Sequence, residues 1–178
     1  NLSINKRLTE AIASRHPFAV LYLDLNAFKA YNDVYGYDAG DRVIATAAHL
    51  ILDATKSLGN PADFVGHIGG DDFIVVTAPT HMVALSKAII DRFTELAPSF
   101  YNATDRAQGK ITTKDRRGRL VEYPILGIVI GVCHNQRRQL ESVAQISQIG
   151  AQLKTYAKSL GGSRYVIDRR KSNDISGR

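Results

Sequence analysis

Cys133 is the only cysteine among 178 residues, so the chain can form no internal disulfide and no thiolate-rich metal site. It lies in the apolar run "ILGIVIGVC", where a small core residue is expected, and such usage fits a reducing cytoplasm. No apolar run approaches the ~20 residues that span a bilayer. No basic-then-apolar leader opens the chain, so no signal peptide is expected. The start, "NLSINKRLTEAI", lacks a methionine, which fits a piece cut from a larger multidomain protein. There is no internal repeat, linker or low-complexity segment. A composition of 44% hydrophobic and 22% charged residues suits one globular domain with a single core. That domain is expected to run over 1–170, with 171–178 as a frayed tail.

The net charge is +6, which favours polyanionic partners such as nucleotides or nucleic acid. Much of the excess is local, in "KDRRGR" at 114–119, "QRR" at 136–138 and "DRRK" at 168–171. Only the last has an aromatic residue close by. These runs are taken as solvated charge, and neither nucleic acid nor a membrane is expected as a partner.

Residues 3–14 have helical character, and Pro17 closes that element. "FAVLYLDL", 18–25, is a continuous apolar run of the kind buried on both faces of a sheet, and it carries Asp24 near its C-terminal end. "NAFKAYNDVYG" predicts a short helix ended by Gly36, and a longer helix follows from Gly40. "ADFVGHI" and "FIVVTA" predict a hairpin. "HMVALSKAIIDRFTELA" predicts a helix ended by Pro98. Residues 103–124 are polar and turn-rich and predict a protruding hairpin with "RRGR" at its tip. "YPILGIVIGVC" predicts a buried strand, "ESVAQISQIGAQLKTYAKSLGG" the last helix and "SRYVIDR" a final strand. The fold class is α/β, an α+β sandwich with a mixed central sheet of ferredoxin-like βαββαβ type flanked by helices.

In such a sheet the first strand lies beside the hairpin, so the end of "LYLDL" meets the turn of "IGGDDF". Asp24, Asp71 and Asp72 then converge. Clustered carboxylates are costly unless protonated or bound to a hard cation, and Mg²⁺ (or Mn²⁺) with oxygen ligands is the usual solution. Two-metal nucleotidyl transfer is the reaction class that this suggests. An acidic turn in solvent, with Asp24 capping a strand end, is the alternative.

"GGDDF" resembles the GGDEF signature of diguanylate cyclases. "LYLDLNAFKAYNDVYGYDAGD" is similar to the longer signature of that family, and "AKSLGG" to its closing A-K-x-x-G segment. The resemblance implies the GGDEF, nucleotidyl-cyclase-like fold. It also implies condensation of two GTP into cyclic di-GMP with release of two pyrophosphates, a bacterial second-messenger reaction. Carried over, Asp24, the carbonyl of Leu25, Asp71 and Asp72 hold the metal, and Asp71 helps deprotonate the ribose 3′-OH. Gly69 and Gly70 let the nucleotide approach, while Asn32 and Asp41 match residues that contact guanine. Tyr37 stands where many members have histidine. Amides around Ala27 and Phe28, with Lys158, meet the terminal phosphates. The implied partners are GTP and cyclic di-GMP, a second copy in a homodimer, and an N-terminal sensory or dimerisation domain of the parent chain.

Several positions depart from the family pattern. Asp72 replaces Glu, Asn26 replaces the second acid of D-x-D, His67 stands for an arginine, and Gly162 stands where an arginine usually touches phosphate. The inhibitory product motif R-x-x-D is "NPAD" here, Asn60 to Asp63, so no feedback inhibition through it is expected. Asp41 is the guanine-reading form, which implies GTP alone as substrate. These changes support an alternative, a degenerate domain that binds GTP or cyclic di-GMP without turnover.

Overall fold

The computed structural model describes residues 1–171. Of the expected tail, all but Lys171 lies outside the described residues. The chain opens with α1 (Leu2–Ser14) and β1 (Ala19–Asn26), followed by α2 (Phe28–Tyr35) and α3 (Tyr37–Leu58). The hairpin β2 (Phe64–Gly69) and β3 (Asp72–Thr77) comes next, then α4 (Met82–Leu96), a 3₁₀ turn (Ala97–Phe100) and α5 (Ala103–Gln108). A ribbon of β4 (Lys110–Lys114) and β5 (Leu120–Pro124) precedes β6 (Gly127–His134), α6 (Val143–Ser159) and β7 (Arg164–Ile167).

The main sheet has five strands in the order β2-β3-β1-β6-β7, and β4-β5 form a separate two-stranded sheet. β1 is antiparallel to both β3 and β6, while β6 and β7 are parallel. The first four strands keep the ferredoxin-like order, so the expected mixed sheet is found. Every residue of β1 except Asn26 is buried, as a central strand between two layers requires.

Alternation along β1 divides the core. Leu21, Leu23 and Leu25 pack with Val43, Ile51, Leu85 and Ile89 of α3 and α4. Val20 and Tyr22 join Ile74 and Val76 of β3 against Ile4 and Leu8 of α1 and Ile146 and Ile149 of α6. With a period of two, Asp24 and Asp72 belong to this second face and therefore point toward α6. Gly150 lets α6 come close, since a Cβ there would stand 2.3 Å from Tyr22 Cδ2.

The structure corrects some expected boundaries. α3 begins at Tyr37 rather than beyond Gly40, with Asp38 in its first turn complementing the helix dipole. α5 is a helix within the polar stretch expected to form only a hairpin, and Asn102 caps it by accepting from the Asp105 amide at 2.8 Å. β5 ends at Pro124 in the ribbon, so the apolar run before Cys133 supplies only β6. Two of the three basic runs are also not wholly solvated. Arg138 is 6% exposed and pairs with the buried Asp168 at 3.0 Å, and Arg170 pairs with the same carboxylate at 2.7 Å.

Candidate active site

The carboxylates meet where β1 ends and the β2–β3 turn begins. Asp24 and Asp72 are cross-strand partners in the β1–β3 register. Asp71 occupies the turn just before β3, after Gly70, whose φ of +55 favours a residue without a Cβ. Nothing stands within 4 Å of where a Cβ on Gly69 or Gly70 would be, so this backbone is open to a ligand. His67 closes the turn with a 2.7 Å hydrogen bond between its Nε2 and the Gly70 carbonyl, and its ring stacks on Phe73.

Burial, and then the negative charge and hydrogen bonding of Asp24, push the Asp71 pKa up to about 6. The two carboxyl groups therefore sit against one another. Asp72 is turned elsewhere: it accepts a short hydrogen bond from the ammonium of Lys154, which also lies 3.5 Å from Asp24 Oδ2. Lys158, one turn further along α6, reaches Asp24 Oδ1 at 2.8 Å, an ion pair lacking hydrogen-bond alignment. Among the described residues, no three acidic, histidine or cysteine side chains are grouped as a metal cage. The acids meet through Asp24, and lysines occupy the space between them. Lys158, the residue expected at phosphate, pairs here with Asp24.

Asp71 and Lys158 open onto a cleft of about 400 Å³ at the start of α2, beside Leu25, Phe28 and Arg116. Ala27 caps α2 with φ of +64, a conformation rarely used by residues with a Cβ. Its own amide donates to Asn26 Oδ1 at 3.1 Å. The Tyr31 amide bonds back to the Ala27 carbonyl, and the amides of Phe28, Lys29 and Ala30 have no intrahelical partner. Asn26, in the place of an acid, thus holds the loop that turns these amides outward, and Ala27 itself is not among the available donors.

Asn32, Tyr37 and Asp41 are outside that cleft lining, at the junction of α2 and α3. Asn32 Oδ1 is buried and has no hydrogen-bond partner. Its side chain fits against Gly40, where a Cβ would come within 1.8 Å of that oxygen. Tyr37 and Asp41 are exposed.

The β4–β5 ribbon supplies the far wall of the cleft. Asp115 Oδ1 accepts the Arg117 and Arg119 amides at 2.8 and 2.9 Å, and Asp115 Oδ2 accepts from Arg119 Nε at 2.8 Å. These contacts hold the Asp115 carboxyl below its ordinary range and fix the tip. Arg119 is thereby neutralised, whereas Arg116 has no ion-pair partner among the described residues. Its charge bears on Lys29 across the cleft, and Lys29 pairs with Asp33 at 2.8 Å. Sequence reasoning missed Lys154 and Arg116.

The profile described as "Diguanylate cyclase, GGDEF domain" matches residues 1–114, more than half of the chain. The chain belongs to the GGDEF-domain family of diguanylate cyclases. A diguanylate cyclase of Vibrio cholerae is 34% identical over 84 residues, which are 46% of this chain and 25% of that protein. The bifunctional diguanylate cyclase/cyclic di-GMP phosphodiesterase MucR of Pseudomonas aeruginosa is 28% identical over 95 residues, 52% of this chain and 13% of its own length. The chain thus spans a quarter or less of these relatives. The solved active GGEEF domain of a Vibrio cholerae diguanylate cyclase superposes with a TM-score of 0.70 at 23% identity, covering 96% of this chain and 94% of that one.

The GGDEF profile ends before the ribbon tip and α6. Arg116, Lys154 and Lys158, the cations around the acids, all lie beyond it. No helix among the described residues is long and apolar enough to cross a membrane.

Proposed function

We propose that this domain is a diguanylate cyclase that condenses two GTP into cyclic di-GMP and two pyrophosphates. The observation that carries the reading is the close Asp24–Asp71 carboxyl pair opening onto a cleft walled by cations and unpaired helix amides. Two carboxylates held together, with the Leu25 carbonyl adjacent in sequence, form an all-oxygen donor set suited to one hard cation, Mg²⁺ or Mn²⁺. When bound, that ion supplies charge neutralisation to the nucleotide phosphates.

The chain's own residues do the rest. The Phe28, Lys29 and Ala30 amides and the positive end of α2 receive the terminal phosphates. Arg116 adds charge from the ribbon, and Lys158, 38% exposed and free to swing, leaves Asp24 Oδ1 to the cation and turns to the phosphates. Asn32 offers its unpaired buried Oδ1 to a guanine N–H, and Asp41 on the adjacent turn offers a second acceptor. Asp71, beside the cleft, accepts the proton of the ribose 3′-OH as that oxygen attacks the α-phosphorus of the second GTP. Positioning of the reactants accounts for most of the acceleration. One site holds one GTP, so the two-fold product needs two domains face to face, with further domains of the parent chain setting their encounter. A reaction that consumes GTP belongs in the cytoplasm.

The lysine contacts favour a second reading. Lys154 and Lys158 already satisfy Asp72 and Asp24, as in a domain that holds GTP or cyclic di-GMP without turning it over. Incubation with GTP and Mg²⁺, followed by chromatography, separates the two. The protein is tested as it is and fused to a dimerising coiled coil, which raises the effective concentration of paired sites. Cyclic di-GMP that vanishes in Asp71→Ala establishes the cyclase. Binding without product, even in the forced dimer, establishes the receptor.

A further inference from the structure

The two adjacent aspartates of the turn serve different compartments. Asp71 lines the cleft at the start of α2 together with Lys158. Asp72 lines a separate recess on the other face of the sheet, shared with Lys154, Ile4 and Tyr22. The reason is the pleat: Asp72 is already in β3, on the face of Ile74 and Val76, while Asp71 is still in the turn.

Lys154 is built into that second face. Gly150 seats α6 on Tyr22, and the following turns bring Lys154 and Lys158 to the strand ends at helical spacing. The Lys154 side chain is 15% exposed, and its ammonium contacts Asp72 and stands 3.5 Å from Asp24. A cation already sits between two carboxylates. A divalent ion binding the same pair of oxygens at the ~2.1 Å of Mg²⁺ coordination would stand within a few ångströms of that ammonium. Like charges so close in a partly buried site repel strongly. Two-metal phosphoryl transfer uses ions ~3.5–4 Å apart, and the position on the Asp72 side is the one that Lys154 fills.

We propose that Lys154 is a resident cation in place of one divalent ion, so that each chain loads a single metal, held on the Asp24–Asp71 side. The inference rests on the reading of the cleft as a nucleotide site, and the test keeps the two apart. Mn²⁺ bound per chain is counted by electron paramagnetic resonance, at saturating non-hydrolysable α,β-methylene GTP and with free nucleotide subtracted. One Mn²⁺ per wild-type chain is expected. Lys154→Met, which keeps the stem and removes the charge, is expected to bind two.

Two Mn²⁺ per wild-type chain would overturn the inference while leaving the nucleotide site standing. A Lys154→Met count that stays at one would show that Lys154 does not exclude the second ion. No nucleotide-dependent Mn²⁺ on the wild type would remove the nucleotide reading itself, and the inference with it. Lys154→Gln, which also removes the charge, gives the same reading if Lys154→Met fails to fold, and a wild-type count of two overturns the inference without any variant.

Discussion

Asp71 sits half-buried with its carboxyl against Asp24, and its pKa is pushed up to about 6 from an ordinary 3.8, first by burial and then by that neighbour. The folded chain therefore holds a proton on Asp71 at pH values where the unfolded chain has lost it. Stability from this group is complete below about 3.8 and is lost as pH rises through about 6. Above that, the ionised carboxylate is a standing cost in the metal-free protein. A shift of this size is worth ~3 kcal/mol if fully felt. Screening by water at a half-exposed group reduces it to about 1 kcal/mol. Asp71→Asn in EDTA is therefore expected to melt about 2–4 °C above wild type at pH 7–8. The gap should open between about pH 4 and pH 6 and stay level above. Melting curves across pH test this, and a gap that is largest at pH 4 would contradict the charge arrangement.

At the scale of elements, the strands were legible because each carries its own local signal. β1 is a continuous apolar run, and β2–β3 are joined by glycines that permit the turn. The α6 contacts were present only as parity. Asp24 and Asp72 share the alternation of Tyr22 and Ile74, and Lys154 and Lys158 share a helical stripe. Joining the two sets needs the sheet order, since Lys154 is 82 residues from Asp72 in sequence. The ribbon was legible as a hairpin but not in its direction. That is set by burial of Ile111 and by the Tyr101 hydroxyl, which accepts the Leu126 amide at 2.9 Å. So placed, the ribbon brings Arg116 to the cleft. A charge-assisted contact to phosphate is worth ~1.5–3 kcal/mol. Arg116→Ala is accordingly expected to weaken GTP binding about tenfold or more by calorimetry and to leave guanosine binding unchanged. Arg117→Ala, outside the cleft lining, should change neither, and an equal loss in both variants would reduce the ribbon to a general electrostatic effect.

Across the whole molecule, the two ends of the sheet have separate tasks. The end where Asn26 pairs with Gly127 carries the carboxylates, and the end where Ala19 pairs with His134 carries the buried Arg138–Asp168 pair. Breaking a buried pair costs ~3–5 kcal/mol, and Arg170, still on Asp168, brings the expected loss for Arg138→Met to about 2 kcal/mol. Melting should fall by about 4–8 °C, with GTP affinity unchanged. Assembly is the last consequence. For the cyclase proposed above, a product with two-fold symmetry requires two sites to face one another, each bringing one GTP. Below the dissociation constant of that encounter, specific activity should rise in proportion to protein concentration, about tenfold over a tenfold range. In the coiled-coil fusion it should be flat. Product should not restrain it: Asn60 has no guanidinium to grip cyclic di-GMP, and Asp63 Oδ2 is occupied by the Asn60 amide at 3.0 Å and the Thr77 hydroxyl at 2.6 Å. Rates measured across protein concentration, with and without added cyclic di-GMP, test both statements. Tight non-competitive inhibition would mean that product grips the domain elsewhere, and a flat concentration profile for the isolated domain would place both GTP molecules on a single chain.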